Sequence, residues 1–262
     1  MKLKCLHRYT IYPFIIIILF SHYATGYAAV LQTLQPGELT VGTYFTNPPL
    51  EFSQKNKQVG FEIDLMNEMS KRLHLKPRYV NTSWEVIIQQ LKNNKYDVIM
   101  GGITITPDRK KVIPYTIPYM TTTLSILINV KKTPNIQSMN DLRNQIIGVQ
   151  AKTTDYDIAL QMQKSGKIKG IKVYHFADFN KAIQDLITGK IGAVIKVFPV
   201  ADYYTQLHPG IRILTAVPNY PQPLGFGVNP RNKLLVQTLN KTLEEIKADG
   251  TYNKFYEKWF TQ

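Results

Sequence analysis

The 262-residue sequence holds one cysteine, Cys5, and few histidines. Cys5 precedes an apolar run rather than following it, where a bacterial lipid-attachment cysteine would lie. Beyond residue 28 the chain is free of cysteine, which excludes disulfides, thiolate nucleophiles and cysteine metal sites there and leaves stability to the core. The histidines of that stretch, His74, His175 and His208, are far apart and show no metal-ligand spacing. Neither a Ser-His-acid pattern nor a phosphate loop stands out. Acids are scarce too, with 18 Asp and Glu against 32 Lys and Arg and a formal net charge of +14. The cations are scattered, with only short groups such as Arg109-Lys110-Lys111 and Lys131-Lys132, unlike the patch or repeat of a nucleic-acid reader. The excess either favours encounter with anions and acidic surfaces or reflects the solvated exterior alone.

Long apolar runs are also lacking. Residues 11–20 form the main one, interrupted by Pro13 and well short of the roughly 20 residues of a membrane span. Lys2, Lys4 and Arg8 precede it, and the small residues Ala24, Gly26, Ala28 and Ala29 follow. That order predicts a secretory signal peptide over residues 1–28, cleaved near Ala28. Its removal takes away three cations and leaves the remainder strongly basic.

The composition, 44% hydrophobic and 19% charged, is that of a globular protein. Strand-like runs at 39–43, 78–81 and 96–100 alternate with helical patterns at 61–75 and 84–91. A long β-prone segment, 119–130, separates this series from a second one. There, strands at 146–150, 171–176, 191–197 and 211–214 alternate with helices at 154–162, 180–187 and 200–207. A strand at 224–228 and helical sequence over 234–260, broken near Asp249-Gly250, complete the chain. Such alternation predicts two α/β units built on mainly parallel sheets, with a ligand cleft at the carboxyl ends of the strands.

Two loops after predicted strands have the chemistry to line that cleft. In Gly101-Gly102-Ile103-Thr104-Ile105-Thr106-Pro107-Asp108-Arg109, the glycines permit close approach to the backbone, and Thr106-Pro107 reads as a helix cap and first residue. Arg109 then faces the same spot with paired donors suited to a carboxylate. The same stretch also reads as a glycine-permitted turn with a surface arginine. In Gly148-Val149-Gln150-Ala151-Lys152-Thr153-Thr154-Asp155, a helix start offers backbone donors to an anion, or is simply a threonine cap. Trp84, at another helix start, is either an apolar wall or core.

Taken in order, several stretches resemble the polar-amino-acid family of periplasmic solute-binding proteins that serve ABC transporters. They are Leu39-Thr40-Val41-Gly42-Thr43, Pro48-Pro49-Leu50-Glu51-Phe52, Val59-Gly60-Phe61-Glu62-Ile63-Asp64-Leu65, the run from Tyr96 through Arg109, and Lys247-Ala248-Asp249-Gly250-Thr251-Tyr252. The resemblance covers nearly all of residues 37–262. It implies an α/β, two-lobed periplasmic-binding-protein-like fold whose lobes are joined by two hinge crossings. Lobe 1 would comprise 29–122 plus 226–262, and lobe 2 residues 125–222. It further implies a periplasmic monomer without cofactor or catalysis, binding an amino acid or small carboxylate and docking on an inner-membrane ABC transporter permease. An enzymatic alternative on the same fold is cyclohexadienyl dehydration.

Carried over residue by residue, the family pattern sets the ligand carboxylate against Arg109, Thr104, the backbone around Gly101 and Gly102, and the loop of Gln150, Thr153, Thr154 and Asp155. Trp84 matches the aromatic wall. The other half departs from the pattern. Val197 stands where members that bind α-amino acids carry an acid for the ligand ammonium. Tyr44 also replaces an acid, and Asn47 replaces an aromatic residue. Three readings follow: Asp155, Glu51 or the Tyr44 hydroxyl substitutes as acceptor; the ligand lacks an α-ammonium; or binding has decayed.

Overall fold

The computed structural model describes residues 31–261; the expected signal peptide, residues 1–28, lies outside them. In chain order the first elements are β1 (Glu38–Thr43), β2 (Thr46–Asn47), β3 (Glu51–Gln54), β4 (Lys57–Val59), α1 (Phe61–Arg72), β5 (Lys76–Asn81), α2 (Trp84–Lys92), β6 (Val98–Ile99) and α3 (Pro107–Lys110). Then come β7 (Met120–Asn129), β8 (Ile146–Gln150), α4 (Thr154–Lys164), β9 (Gly170–Tyr174), α5 (Phe179–Thr188), β10 (Ala193–Val197), α6 (Phe198–Leu207) and β11 (Ile211–Leu224). The chain closes with β12 (Gly227–Val228), α7 (Lys233–Ala248) and α8 (Thr251–Phe260).

Two sheets give the molecule its two lobes. The first has the order β12-β6-β1-β5, with β1 parallel to both β5 and β6 and β12 antiparallel to β6. The second has the order β11-β7-β10-β8-β9, with β8, β9 and β10 mutually parallel and β7 antiparallel to both of its neighbours, β10 and β11. In each sheet the chain leaves a central strand, β1 or β8, first to one side and then to the other. This reversal opens a crevice beyond the carboxyl ends of the strands.

The helices follow their apolar faces. On α1, Phe61, Ile63, Leu65, Met66 and Met69 are buried, the i, i+3, i+4 spacing of a core-facing stripe. On α5, Phe179, Ala182, Ile183 and Leu186 do the same, and Gly189 ends the helix in the left-handed region with φ 77°. The terminal helical sequence divides at Gly250, also left-handed with φ 81°, and α7 and α8 pack on α1.

Three features differ from the sequence expectation. A small antiparallel sheet, β2-β3-β4, fills residues 46–59; its strands are too short for a periodicity signal. Residues 211–214 and 224 belong to one 14-residue strand, β11. Its prolines, Pro218, Pro221 and Pro223, argue against a central strand, and β11 is indeed the sheet edge, where a missing N–H is tolerated. The second sheet is therefore mixed rather than mainly parallel.

The strands β7 and β11 run together from Ile211 opposite Asn129, within the second sheet, to Leu224 opposite Met120 at the first lobe. Their register shifts between Ala216 and Pro221. A bridge from Thr104 to Leu224 ties this ribbon into the first lobe.

Candidate functional site

Every strand whose carboxyl end meets the crevice sends a residue into it. Tyr44 and Asn47 follow β1, Trp84 follows β5, Gly101 and Gly102 follow β6, Thr153, Thr154 and Asp155 follow β8, Phe176 follows β9, and Lys196 and Val197 end β10. With Thr104 and Arg109 they line a narrow cavity of about 30 Å³.

Local chemistry puts Arg109 there. Thr106 caps α3 by accepting a hydrogen bond from the Arg109 N–H at 3.2 Å, and Pro107 is the first helical residue. The guanidinium turns back to donate to the Thr104 carbonyl at 2.9 Å and reaches across the cleft to the Lys152 carbonyl at 3.3 Å. It lies 4.7 Å from the centroid of the Trp84 ring, and such a stack orients the planar fork. Burial pushes the Arg109 pKa down, and the phenols of Tyr115 and Tyr44 and the carboxylates of Asp157 and Asp155 push it back.

Gly101 and Gly102 make the turn that brings the first lobe close. Their φ values are 143° and 62°, and a side chain on Gly101 would strike the Tyr44 ring at 2.4 Å. The Tyr44 hydroxyl donates to the Gly101 carbonyl. The Gly102 N–H, expected to meet the ligand, instead donates to the Glu62 carboxylate at 3.1 Å. Tyr119 donates to the same carboxylate at 2.5 Å, so a buried acid spends this donor on holding the loop. Glu51 is fully buried beside Glu62. Burial raises both carboxyls above their ordinary range, and for Glu51 the neighbouring Glu62 adds to the rise.

On the facing lobe, Thr153 rather than Thr154 caps α4, its hydroxyl accepting from the Tyr156 N–H. Asp155, 2% exposed, has one carboxylate oxygen buried with no hydrogen-bond partner. Burial raises its pKa to about 6 against the fields of Lys196 and Arg109. Gln150 does not line the cavity. It lies behind, donating to the Phe176 carbonyl and accepting from the Lys196 amine.

Several contacts close the cleft. Trp84 Nε1 donates to the Lys152 carbonyl at 3.2 Å, and the Phe176 N–H donates to Glu85 at 3.3 Å. The Phe176 ring sits 4.4 Å from Tyr44 and 5.7 Å from Trp84, centroid to centroid. The hydroxyls of Thr104 and Thr154, one from each side, both donate to Gln222 Oε1 at 2.8 Å. Gln222 lies on β11, so the connecting ribbon itself reaches the site.

Apart from Gln150, the residues singled out from sequence line this one cavity: Tyr44, Asn47, Trp84, Gly101, Gly102, Thr104, Arg109, Thr153, Thr154, Asp155 and Val197. Sequence reasoning missed Phe176, Lys196, Glu62 and Gln222. Lys196 had a signal, a lysine inside the otherwise apolar run Ala193-Val194-Ile195-Lys196-Val197, since a buried lysine demands a partner. Phe176 and Gln222 had none, because their placement depends on which strands become neighbours.

Residues 39–262 match bacterial extracellular solute-binding proteins, family 3. The ABC transporter arginine-binding protein 1 of Escherichia coli (strain K12) is 30% identical over 230 residues, 86% of this chain and 91% of that protein. An ancestral arginine-binding protein bound to arginine superposes with a TM-score of 0.78 at 36% identity, covering 86% of this chain and 98% of that one. An ancestral amino acid-binding protein described as a precursor of cyclohexadienyl dehydratase superposes with a TM-score of 0.77 at 35% identity, covering 86% and 96%.

Proposed function

The chain belongs to family 3 of the bacterial extracellular solute-binding proteins, and from that premise we propose that it captures an amino acid or closely related small carboxylate for an ABC importer. The observation that carries this reading is that Arg109 and Asp155, of opposite charge, line the same cavity. A guanidinium suits the α-carboxylate. The unpartnered oxygen of Asp155 suits the α-ammonium, a group that Val197 cannot accept. Asp155 thus answers the missing acid better than Glu51, which does not line the cavity, or Tyr44, whose neutral hydroxyl can accept a hydrogen bond but brings no charge to pair with the ammonium.

The relatives' printed names, arginine-binding and amino acid-binding, support this ligand class. We further propose export by the segment 1–28, a periplasmic location, a monomeric state, and lobes of residues 29–122 with 226–262 and 125–222. A thermal-shift screen of amino acids, their deaminated analogues and dicarboxylates tests the reading, because a ligand selective for the folded state raises the melting temperature. We expect amino acids to act and their deaminated analogues to act less. An equal shift from the deaminated analogues would refute the role given to Asp155.

One observation favours an enzymatic reading. A dehydratase needs a cleft acid to protonate a departing hydroxyl, and Asp155, with its pKa raised to about 6, is such a group. Binding without turnover is expected. Cyclohexadienyl dehydration that disappears in Asp155→Asn would decide for the enzyme.

A further inference from the structure

The cleft contains a second cation that the grip on an α-carboxylate does not need. Lys196 is the penultimate residue of β10, whose five residues are all buried, and only 3% of its surface is exposed. Its amine donates to Gln150 Oε1. It also lies 4.8 Å and 4.9 Å from the ring centroids of Phe176 and Phe179, the geometry of cation–π contact. Gln150 is anchored in turn by its bond to the Phe176 carbonyl. Lysines commonly bury the stem and keep the amine in water. Here rings and amide hold the amine inside.

An ammonium has three donors and no acceptor. Gln150 takes one, and Lys196 lines the cavity together with Arg109 and Asp155. Those lining groups leave an excess of one positive charge when ionised, and the buried Glu51, whose field also reaches Lys196, is pushed toward its neutral acid by burial and by Glu62. The main-chain charges of a bound amino acid cancel each other, so the ligand's side chain decides the balance. An anionic side chain neutralises the excess, a carboxamide leaves it unchanged while supplying an acceptor, and a cationic one doubles it. Uncompensated buried charge is strongly disfavoured and is an effective means of rejecting a ligand.

Resting on the amino-acid reading above, we propose that Lys196 determines specificity. Its amine meets an acceptor at the far end of the ligand, so the cleft takes amino acids whose side chains end in a carboxylate or carboxamide and rejects those ending in a cation. The selectivity is opposite to the arginine binding stated for the Escherichia coli relative.

Calorimetric titration of the exported protein with L-glutamate, L-glutamine and L-arginine tests this. Glutamate or glutamine is expected to bind at least tenfold more tightly than arginine. Lys196→Met should shrink that ratio at least tenfold, by weakening the first and strengthening the second. Tighter binding of arginine to the unaltered protein overturns the proposal even if the variant does not fold. An unchanged ratio in a folded Lys196→Met overturns it as well. Failure of glutamate and glutamine to bind, when another amino acid does, overturns it too; failure of every amino acid in the thermal-shift screen overturns instead the amino-acid reading on which it rests.

Discussion

Arg109 reaches the cleft because a threonine cap and a proline start the short helix that carries it, which is why its role was legible in sequence. Arg109→Ala removes a charge-assisted pair from a largely desolvated site and should weaken binding by about 2 to 5 kcal/mol, read by calorimetry. Asp155 has the less legible role. It shares the cavity with Lys196, Val197 and Phe176, which come from strands and loops distant in sequence. Its pKa of about 6 in the free protein sets a pH dependence. An ammonium partner favours the carboxylate, so bound Asp155 titrates lower than free Asp155. Binding is then full above about pH 6 and weakens as pH falls through that value. Titrations between pH 5 and pH 8 should show the loss, and Asp155→Asn should bind weakly with little of this dependence.

At the level of elements, the loop after β6 joins the site to the core. Gly101→Ala forces a left-handed backbone on a residue with a side chain and drives that side chain into Tyr44. A cost of about 1 to 3 kcal/mol from backbone strain alone is expected, measurable by chemical denaturation. Behind the loop, Glu51 and Glu62 form a buried acid pair with both pKa values raised. A carboxyl that titrates higher when folded than when unfolded holds more protons in the native state. Stability therefore falls as pH rises above the ordinary glutamate value. Glu51→Gln should flatten that slope in melts between pH 5 and pH 8, while Glu62 keeps its bond to Gly102. Helices were readable from periodicity because each buries one regular face, and the central parallel strands β1, β8 and β10 as short apolar runs because both of their faces are covered. The length of β11 was not, since its prolines are permitted only by its place at the edge of the sheet, a fact of tertiary neighbours.

For the whole molecule, the crevice lies between two lobes joined by the β7 and β11 ribbon, and contacts across it narrow the cavity. We expect the lobes to part for ligand entry, with the register break between Ala216 and Pro221 the natural place for bending. X-ray scattering should show a smaller radius of gyration at saturating ligand than without it; an unchanged radius would count against closure.

The closed contacts of Trp84, Arg109 and Phe176 across the cleft also bear on binding kinetics. If these contacts must break before ligand enters, apparent affinity falls in proportion to the fraction of molecules that stand open. Removing one of them at a point remote from the ligand raises that fraction. Glu85→Gln weakens the bond from the Phe176 N–H, and it should speed association in stopped-flow mixing. In the unaltered protein the association rate should level off at high ligand concentration, at the rate of spontaneous opening.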